Sequence, residues 1–156
     1  MNQNFHLHII GVTLDQVLAF YPNLQLKIEA LTSNITFYGR REHTFVLDIL
    51  KNADYSIFYR EKTLTNTAGF PTKFVEAISA STAVITNNTS NISDYLVEGK
   101  NSFLLPDNNT KIIVEVLHEI LNLSLEKKNE IEVYTNNNCE IFDYKNYLKK
   151  IKDLLN

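Results

Sequence analysis

The chain has 156 residues, 44% of them hydrophobic, 21% charged and 11% aromatic, with a formal net charge of −3. This composition builds one domain with a real core and excludes a disordered or fibrous chain; the small acidic surplus excludes a general nucleic-acid binder, which carries a basic face. A single cysteine, Cys139, excludes an intramolecular disulfide framework, and no run of about 18 apolar residues is present to cross a membrane.

The opening Met1-Asn2-Gln3-Asn4 has no basic region and no apolar run, so no secretory signal and a cytoplasmic, reducing location are expected. Nineteen asparagines, fifteen isoleucines and a twelve-to-three excess of lysine over arginine resemble the usage of an AT-rich genome. A single Asn or Lys therefore carries little information, whereas the positions of Arg40, Arg41 and Arg60 matter.

In chain order, Phe5 to Ile10 reads as a strand ending at Gly11. Leu14 to Leu31 has a helical rhythm broken by Pro22. A second strand runs from Asn34 to Tyr38 and stops at Gly39; Phe45 to Ala53 forms a short helix. Tyr55 to Tyr59 is a third strand, followed by a polar loop from Arg60 to Ala68 and a helix from about Pro71 to Ala80. Ala83 to Thr86 is a fourth strand, Ile92 to Val97 a short helix, and Ser102 to Leu105 a fifth strand stopped by Pro106. Asn109 to Asn156 is largely helical, with a break near Asn136-Asn137-Asn138 and a last helix from Ile141 to Leu155.

Strands and helices alternating at this spacing predict a Rossmann-like α/β domain over residues 1–156, about five parallel strands with helices on both faces. Ligands of such sheets sit beyond the carboxyl ends of the strands, so Gly11, Arg40, Arg41, Arg60 and Asn87 to Asn91 are expected to share one rim.

The segment Gly69-Phe70-Pro71-Thr72-Lys73-Phe74-Val75-Glu76-Ala77 is the most informative. Pro71 fits the first helical position; Phe70, Phe74, Ala77 and Ile78 form one face, with Thr72, Lys73 and Glu76 off it. The macrodipole disfavours a cation in a first turn by roughly 0.3–1 kcal/mol. From spacing alone two readings of Lys73 stand: it pairs with Glu76 or points into water, or an anion lies between it and the free N–H groups. Arg60 likewise either grips a phosphate or carboxylate or forms a surface ion pair with a neighbour such as Glu61. Arg40 and Arg41 diverge, so at most one faces a ligand, and a solvated turn explains both.

His6 and His8 share a strand face but lack the third ligand a zinc site needs, so partly buried strand histidines are expected. Cys139 has no evident His partner and Ser90 lacks a nucleophile elbow. With four glycines there is no P-loop and no dinucleotide fingerprint. The run Lys149-Lys150-Ile151-Lys152 could touch an anionic lipid surface, but a packing stripe along the last helix is the preferred reading.

Six segments in order resemble the carboxyl-terminal, donor-binding half of a GT-B retaining glycosyltransferase, in the large group that includes bacterial capsule and cell-surface polysaccharide enzymes. They are Leu7 to Gly11, Asn34 to Gly39, Ala53 to Ser56, Gly69 to Ala77, Thr82 to Thr86 and Glu98 to Leu105. The resemblance implies that Glu76 holds the ribose hydroxyls of a UDP- or GDP-linked sugar. It places Gly69, Phe70, Pro71, Thr72 and Lys73 beside the diphosphate and donor sugar, with Arg60 near the diphosphate and Arg40 bordering the base. It implies glycosyl transfer with no cofactor and no metal, the departing diphosphate being stabilised by basic groups and a helix end. A saccharide or lipid-linked acceptor, and room for peripheral membrane association of the full-length enzyme, are implied as well.

Three departures are evident. Ala68 stands where the family carries the first of two glutamates eight positions apart. Ser81 or Thr82 replaces a turn glycine. The chain begins at what resembles the second strand of this half, so a fragment lacking the first strand and helix and the acceptor domain is expected. Two rival functions therefore stand beside the enzyme: a non-catalytic α/β module or subunit of a split glycosyltransferase, and a sugar-nucleotide epimerase.

Overall fold

The structure, a computed structural model, describes residues 5–155. Met1 to Asn4, Asn156 and the side chains of Lys149 and Lys150 lie outside the described residues, and with them most of the lysine run. The chain forms two compact units, Met1–Ile49 and Leu50–Asn156.

In the first unit, β1 (Leu7–Ile10) pairs in parallel with β2 (Ile35–Gly39), with a register slip between Ile9 and Ile10. The connection holds α1 (Leu14–Phe20), a 3-10 turn at Pro22–Leu24 and α2 (Gln25–Glu29). Thr13 begins α1 with a capping box: its hydroxyl accepts from the Gln16 N–H at 3.3 Å, while the Gln16 side-chain Oε1 accepts from the Thr13 N–H at 2.9 Å. Pro22 ends the helical run as expected, because it has no N–H to donate. Gly39 ends β2 at φ +63°, and a Cβ there would lie 3.2 Å from Thr13 Cγ2, so both conformation and space call for glycine. Helix α3 (His43–Lys51) begins in this unit and ends in the second.

The second unit holds β3 (Tyr55–Phe58), α4 (Leu64–Ala68), α5 (Thr72–Ser79), β4 (Ala83–Thr86), β5 (Ser102–Leu104), α6 (Thr110–Leu121), α7 (Leu125–Asn138) and α8 (Leu148–Leu155). Its sheet has the order β3-β4-β5, and both pairings are parallel. All five expected strands are present, hydrogen-bonded as one ladder of two and one of three.

Strand β4 is buried throughout, which explains why its sequence is a near-continuous apolar run rather than an alternation. Val84 points to one face, into a cluster with Phe58, Phe74, Ala77, Ile78 and Ile92; Ala83 and Ile85 point to the other, with Phe103, Leu105, Ile120 and Ile131. The expected apolar face of the helix after Pro71 thus packs where its spacing places it. Phe70, Tyr95 and Phe142 extend that cluster as a set of tilted and edge-on rings.

Several elements differ from the sequence reading. The polar loop after Arg60 contains α4, because Thr63 caps it by accepting from the Asn66 N–H at 3.2 Å. The helix expected from Ile92 to Val97 is a single 3-10 turn, Ile92–Asp94. Buried Asn101 stops it: its oxygen accepts from the Val97 N–H at 2.7 Å and its amide donates to the Tyr95 carbonyl at 3.0 Å. In the long helical region, α7 starts anew at the Ser124 cap, and the last helix opens with 3-10 turns at Cys139–Phe142 and Tyr144–Tyr147 before α8. Pro71 stands one position earlier than expected, as the extended N-cap of α5.

Candidate functional site at the carboxyl edge of the three-stranded sheet

Because β3 and β4 are parallel and α5 connects them, the amino end of α5 lies at the edge where the strands finish. Three elements meet there. Asn87, the residue after β4, is 1% exposed. Its oxygen accepts from the Arg60 N–H at 2.9 Å; its amide donates to the Arg60 carbonyl at 2.8 Å and to Asp107 Oδ1 at 3.1 Å. One carboxamide thereby joins the ends of β3 and β4 to the turn after β5.

The Arg60 side chain, half-buried, turns towards the loop. Nη1 donates to the Gly69 carbonyl at 2.9 Å and Nη2 to Asn66 Oδ1 at 3.0 Å, while the Asn66 amide donates to the Glu61 carbonyl at 2.8 Å. Lys62 forms an ion pair with Asp107. That lysine first, and Asn87 second, hold the Asp107 carboxyl below its ordinary value of 3.8.

Beyond Gly69 the chain enters α5. Phe70 is half-buried and stacks edge-on with Phe74, Tyr95 and Phe142, and Pro71 is buried. Thr72 and Lys73 are exposed in the first turn, and Glu76 follows one turn later, half-buried. The first-turn N–H groups of a helix have no carbonyl within it to accept them, except that Phe74 N–H donates to the Pro71 carbonyl at 3.0 Å. The arrangement offers donors, a cation and a carboxylate along one short helix. Phe70 packs against the ring cluster behind α5, and buried Pro71 caps the helix.

Arg40 and Arg41 follow β2 in the first unit, both exposed, with the Arg41 guanidinium carbon 5.5 Å from the Phe45 ring centroid. Thus Gly11, Arg40 and Arg41 stand at strand ends of one unit, and Arg60 and Asn87 at strand ends of the other. His6 and His8 are engaged within the first sheet, His6 Nε2 2.8 Å from Thr36 Oγ1 and His8 Nδ1 2.8 Å from the Tyr38 hydroxyl. Among the described residues no group of three His, Cys, Asp or Glu side chains could hold a metal ion.

Asn87, Asp107 and Lys62 were not singled out by the sequence, although Asn87 falls in the expected rim. The available signal was a polar residue immediately after a strand buried on both faces. Cavities of about 630 and 850 Å³ lie elsewhere in the second unit, the smaller at the amino ends of β3 and β4, the larger along α7 beside Lys100. Residues 60–76 line neither of them.

The family model described as glycosyl transferases group 1 matches residues 1–138. A search of curated proteins yields no match. Among solved structures, the chain is similar to Anabaena HepE in complex with UDP, with TM-score 0.68 and 18% identity over 97% of this chain and 40% of that one. It is similar to sucrose-phosphate synthase from Thermosynechococcus elongatus, with TM-score 0.66 and 14% identity over 96% of this chain and 37% of that one. It also resembles the pneumococcal O-GlcNAc transferase GtfA in complex with UDP and GlcNAc, with TM-score 0.66 and 19% identity over 96% of this chain and 28% of that one. The chain thus spans 40% or less of the length of these neighbours, and at such identities the likeness is one of fold. By the family match over most of its length the chain belongs to the glycosyl transferases group 1 family, with the α/β fold of the carboxyl-terminal half of a GT-B enzyme.

Proposed function

We propose that this chain is the donor side of a glycosyltransferase that moves a hexose-type sugar from a nucleotide sugar to a saccharide or lipid-linked acceptor, in the synthesis of a bacterial surface polysaccharide in the cytoplasm. The observation that carries this reading is the amino end of α5, where exposed Thr72 and Lys73 lie beside unpaired backbone donors and Glu76 follows one turn on. A lysine at the positive end of a helix dipole is accounted for when an anion sits between them. In this reading Glu76 accepts from the ribose hydroxyls, and Gly69 to Lys73 run along the diphosphate and donor sugar. Arg60 adds positive charge at the base of the same loop. Lys73 and the helix end then stabilise the departing diphosphate without a metal. The acceptor is held by a part of the GT-B architecture beyond this chain, and nucleic acid has no role.

HepE and GtfA are each in complex with UDP, which makes UDP sugars the first donors to test. Isothermal titration of UDP and GDP sugars into the wild-type protein, Glu76→Ala and Lys73→Ala is expected to show each variant weakened by about tenfold, the loss of one charge-assisted hydrogen bond. Affinities equal to wild type in both variants overturn the reading. Ala68, in place of a family glutamate, favours a second one, a subunit of a split glycosyltransferase; turnover that appears only on mixing with a second polypeptide would identify it.

A further inference from the structure

Arg60 makes its contacts in two directions. Through its main chain it is bound by Asn87, which both accepts from its N–H at 2.9 Å and donates to its carbonyl at 2.8 Å. The last ladder pair of β3 and β4 is Phe58 with Thr86. A carboxamide carries the donor and acceptor set of a peptide unit, so Asn87 prolongs the pairing past the point where the strands stop. Buried at 1% exposure, it cannot exchange those partners for water without opening the edge.

Through its side chain Arg60 reaches across the loop. Its planar fork spans the Gly69 carbonyl at 2.9 Å and the Asn66 oxygen at 3.0 Å. Gly69 is the C-cap of α4, and its own N–H donates to the Thr65 carbonyl at 3.0 Å. Two residues later Pro71 is the N-cap of α5. The position of the Gly69 carbonyl therefore sets where the chain enters α5, and two of the five guanidinium N–H donors hold the loop there.

We propose that Arg60 is a positioning residue rather than a ligand of the donor: anchored by Asn87, its guanidinium latches the loop at Gly69 and Asn66 and so fixes the amino end of α5. The inference rests on the donor-site reading for what the fixed helix end binds, and on the hydrogen bonds alone for the latch. A ligand role and a latch role differ in what they ask of residue 60. A ligand needs the charge, which lysine retains; a latch needs the two-pronged fork and its uncharged partner Asn66.

The test compares wild type, Arg60→Lys and Asn66→Ala by amide hydrogen exchange in the nucleotide-free protein and by titration with UDP and GDP. The latch predicts that both variants exchange Gly69 and Phe74 amides about tenfold faster, as one lost hydrogen bond to a charged group implies, with a urea transition that stays single and keeps the wild-type slope. Nucleotide affinity falls by a similar factor in both, although Asn66 carries no charge and Arg60→Lys removes none. A purely structural role would lower the urea midpoint and leave nucleotide affinity as in wild type, and that result overturns the proposal. So does unchanged exchange at Gly69, or nucleotide affinity retained in Arg60→Lys. Absence of nucleotide binding in the wild type overturns the donor reading instead, and the exchange rates still decide the latch.

Discussion

Phe142 is the keystone of the packing behind α5, and truncating it tests whether that packing seats the site. It lies in the 3-10 turn after α7, half-buried, with its ring centroid 6.0 Å from Phe70, 5.8 Å from Phe74 and 5.0 Å from Tyr95. Phe142→Ala removes three ring pairs, each contributing about 0.5–1.5 kcal/mol beyond area burial. A fully buried Phe→Ala costs about 3–5 kcal/mol, so half-burial places this one at about 2–3 kcal/mol. For a chain of this size that lowers the thermal midpoint by roughly 5–10 °C. Phe142→Leu keeps most of the volume and should cost only about 1 kcal/mol. Urea unfolding followed by far-ultraviolet circular dichroism measures the free energies. The chain has no tryptophan, so the near-ultraviolet signal reports its eight tyrosines and nine phenylalanines, Tyr95 of the cluster among them. An alanine variant with the wild-type midpoint, or a leucine variant as damaged as the alanine one, refutes the argument from ring packing.

Ser81 follows α5 at φ +64°, a left-handed conformation that glycine adopts without a Cβ penalty. Ser81→Gly is expected to raise stability by about 0.5–1 kcal/mol, seen as a higher urea midpoint with unchanged slope; a lower midpoint counts against strain at this turn. Asp107 has its carboxyl held below 3.8, so its contribution is fully present above that pH and is lost as pH falls through the lower native value. Asp107→Asn should therefore be less stable than wild type at pH 7, with the gap closing as the pH drops below 3.8. A gap independent of pH would show that the ion pair with Lys62 is not its source.

Elements fixed by a single strong local pattern were legible, and those fixed by a partner far along the chain were not. Strand β4 could be read because burial on both faces leaves an uninterrupted apolar run, and α5 because Phe74, Ala77 and Ile78 repeat at helical spacing behind Pro71. Helix α4 has the sequence Leu-Thr-Asn-Thr-Ala, too short for a period; Thr63 at its start and Arg60 across the loop hold it. The break before α7 carried a readable cap at Ser124, but apolar residues continued at helical spacing through it and masked the signal. In the candidate site, the position of Lys73 and Glu76 off the buried face of α5 was legible from their offset against Phe74, Ala77 and Ile78. The partners of Arg60 were not found, because Asn66, Gly69 and Asn87 have no local pattern that points at a guanidinium.

The asparagines explain why the sequence withheld that part. Nineteen of them make the residue uninformative by count, yet Asn66, Asn87 and Asn101 each close a loop of the second unit. Four glycines leave few positions where the backbone can turn freely, and Ser81, Ser90 and Asn108 take positive φ in their absence. A chain that turns without glycine must supply partners to backbone groups its loops leave unpaired, and a carboxamide does so because it both donates and accepts. Location therefore separates the working asparagines from the compositional ones: Asn87 directly follows a strand and Asn101 directly precedes one, and both are buried. At such places a composition rich in asparagine supplies the residue often, and the geometry of the sheet edge gives it partners.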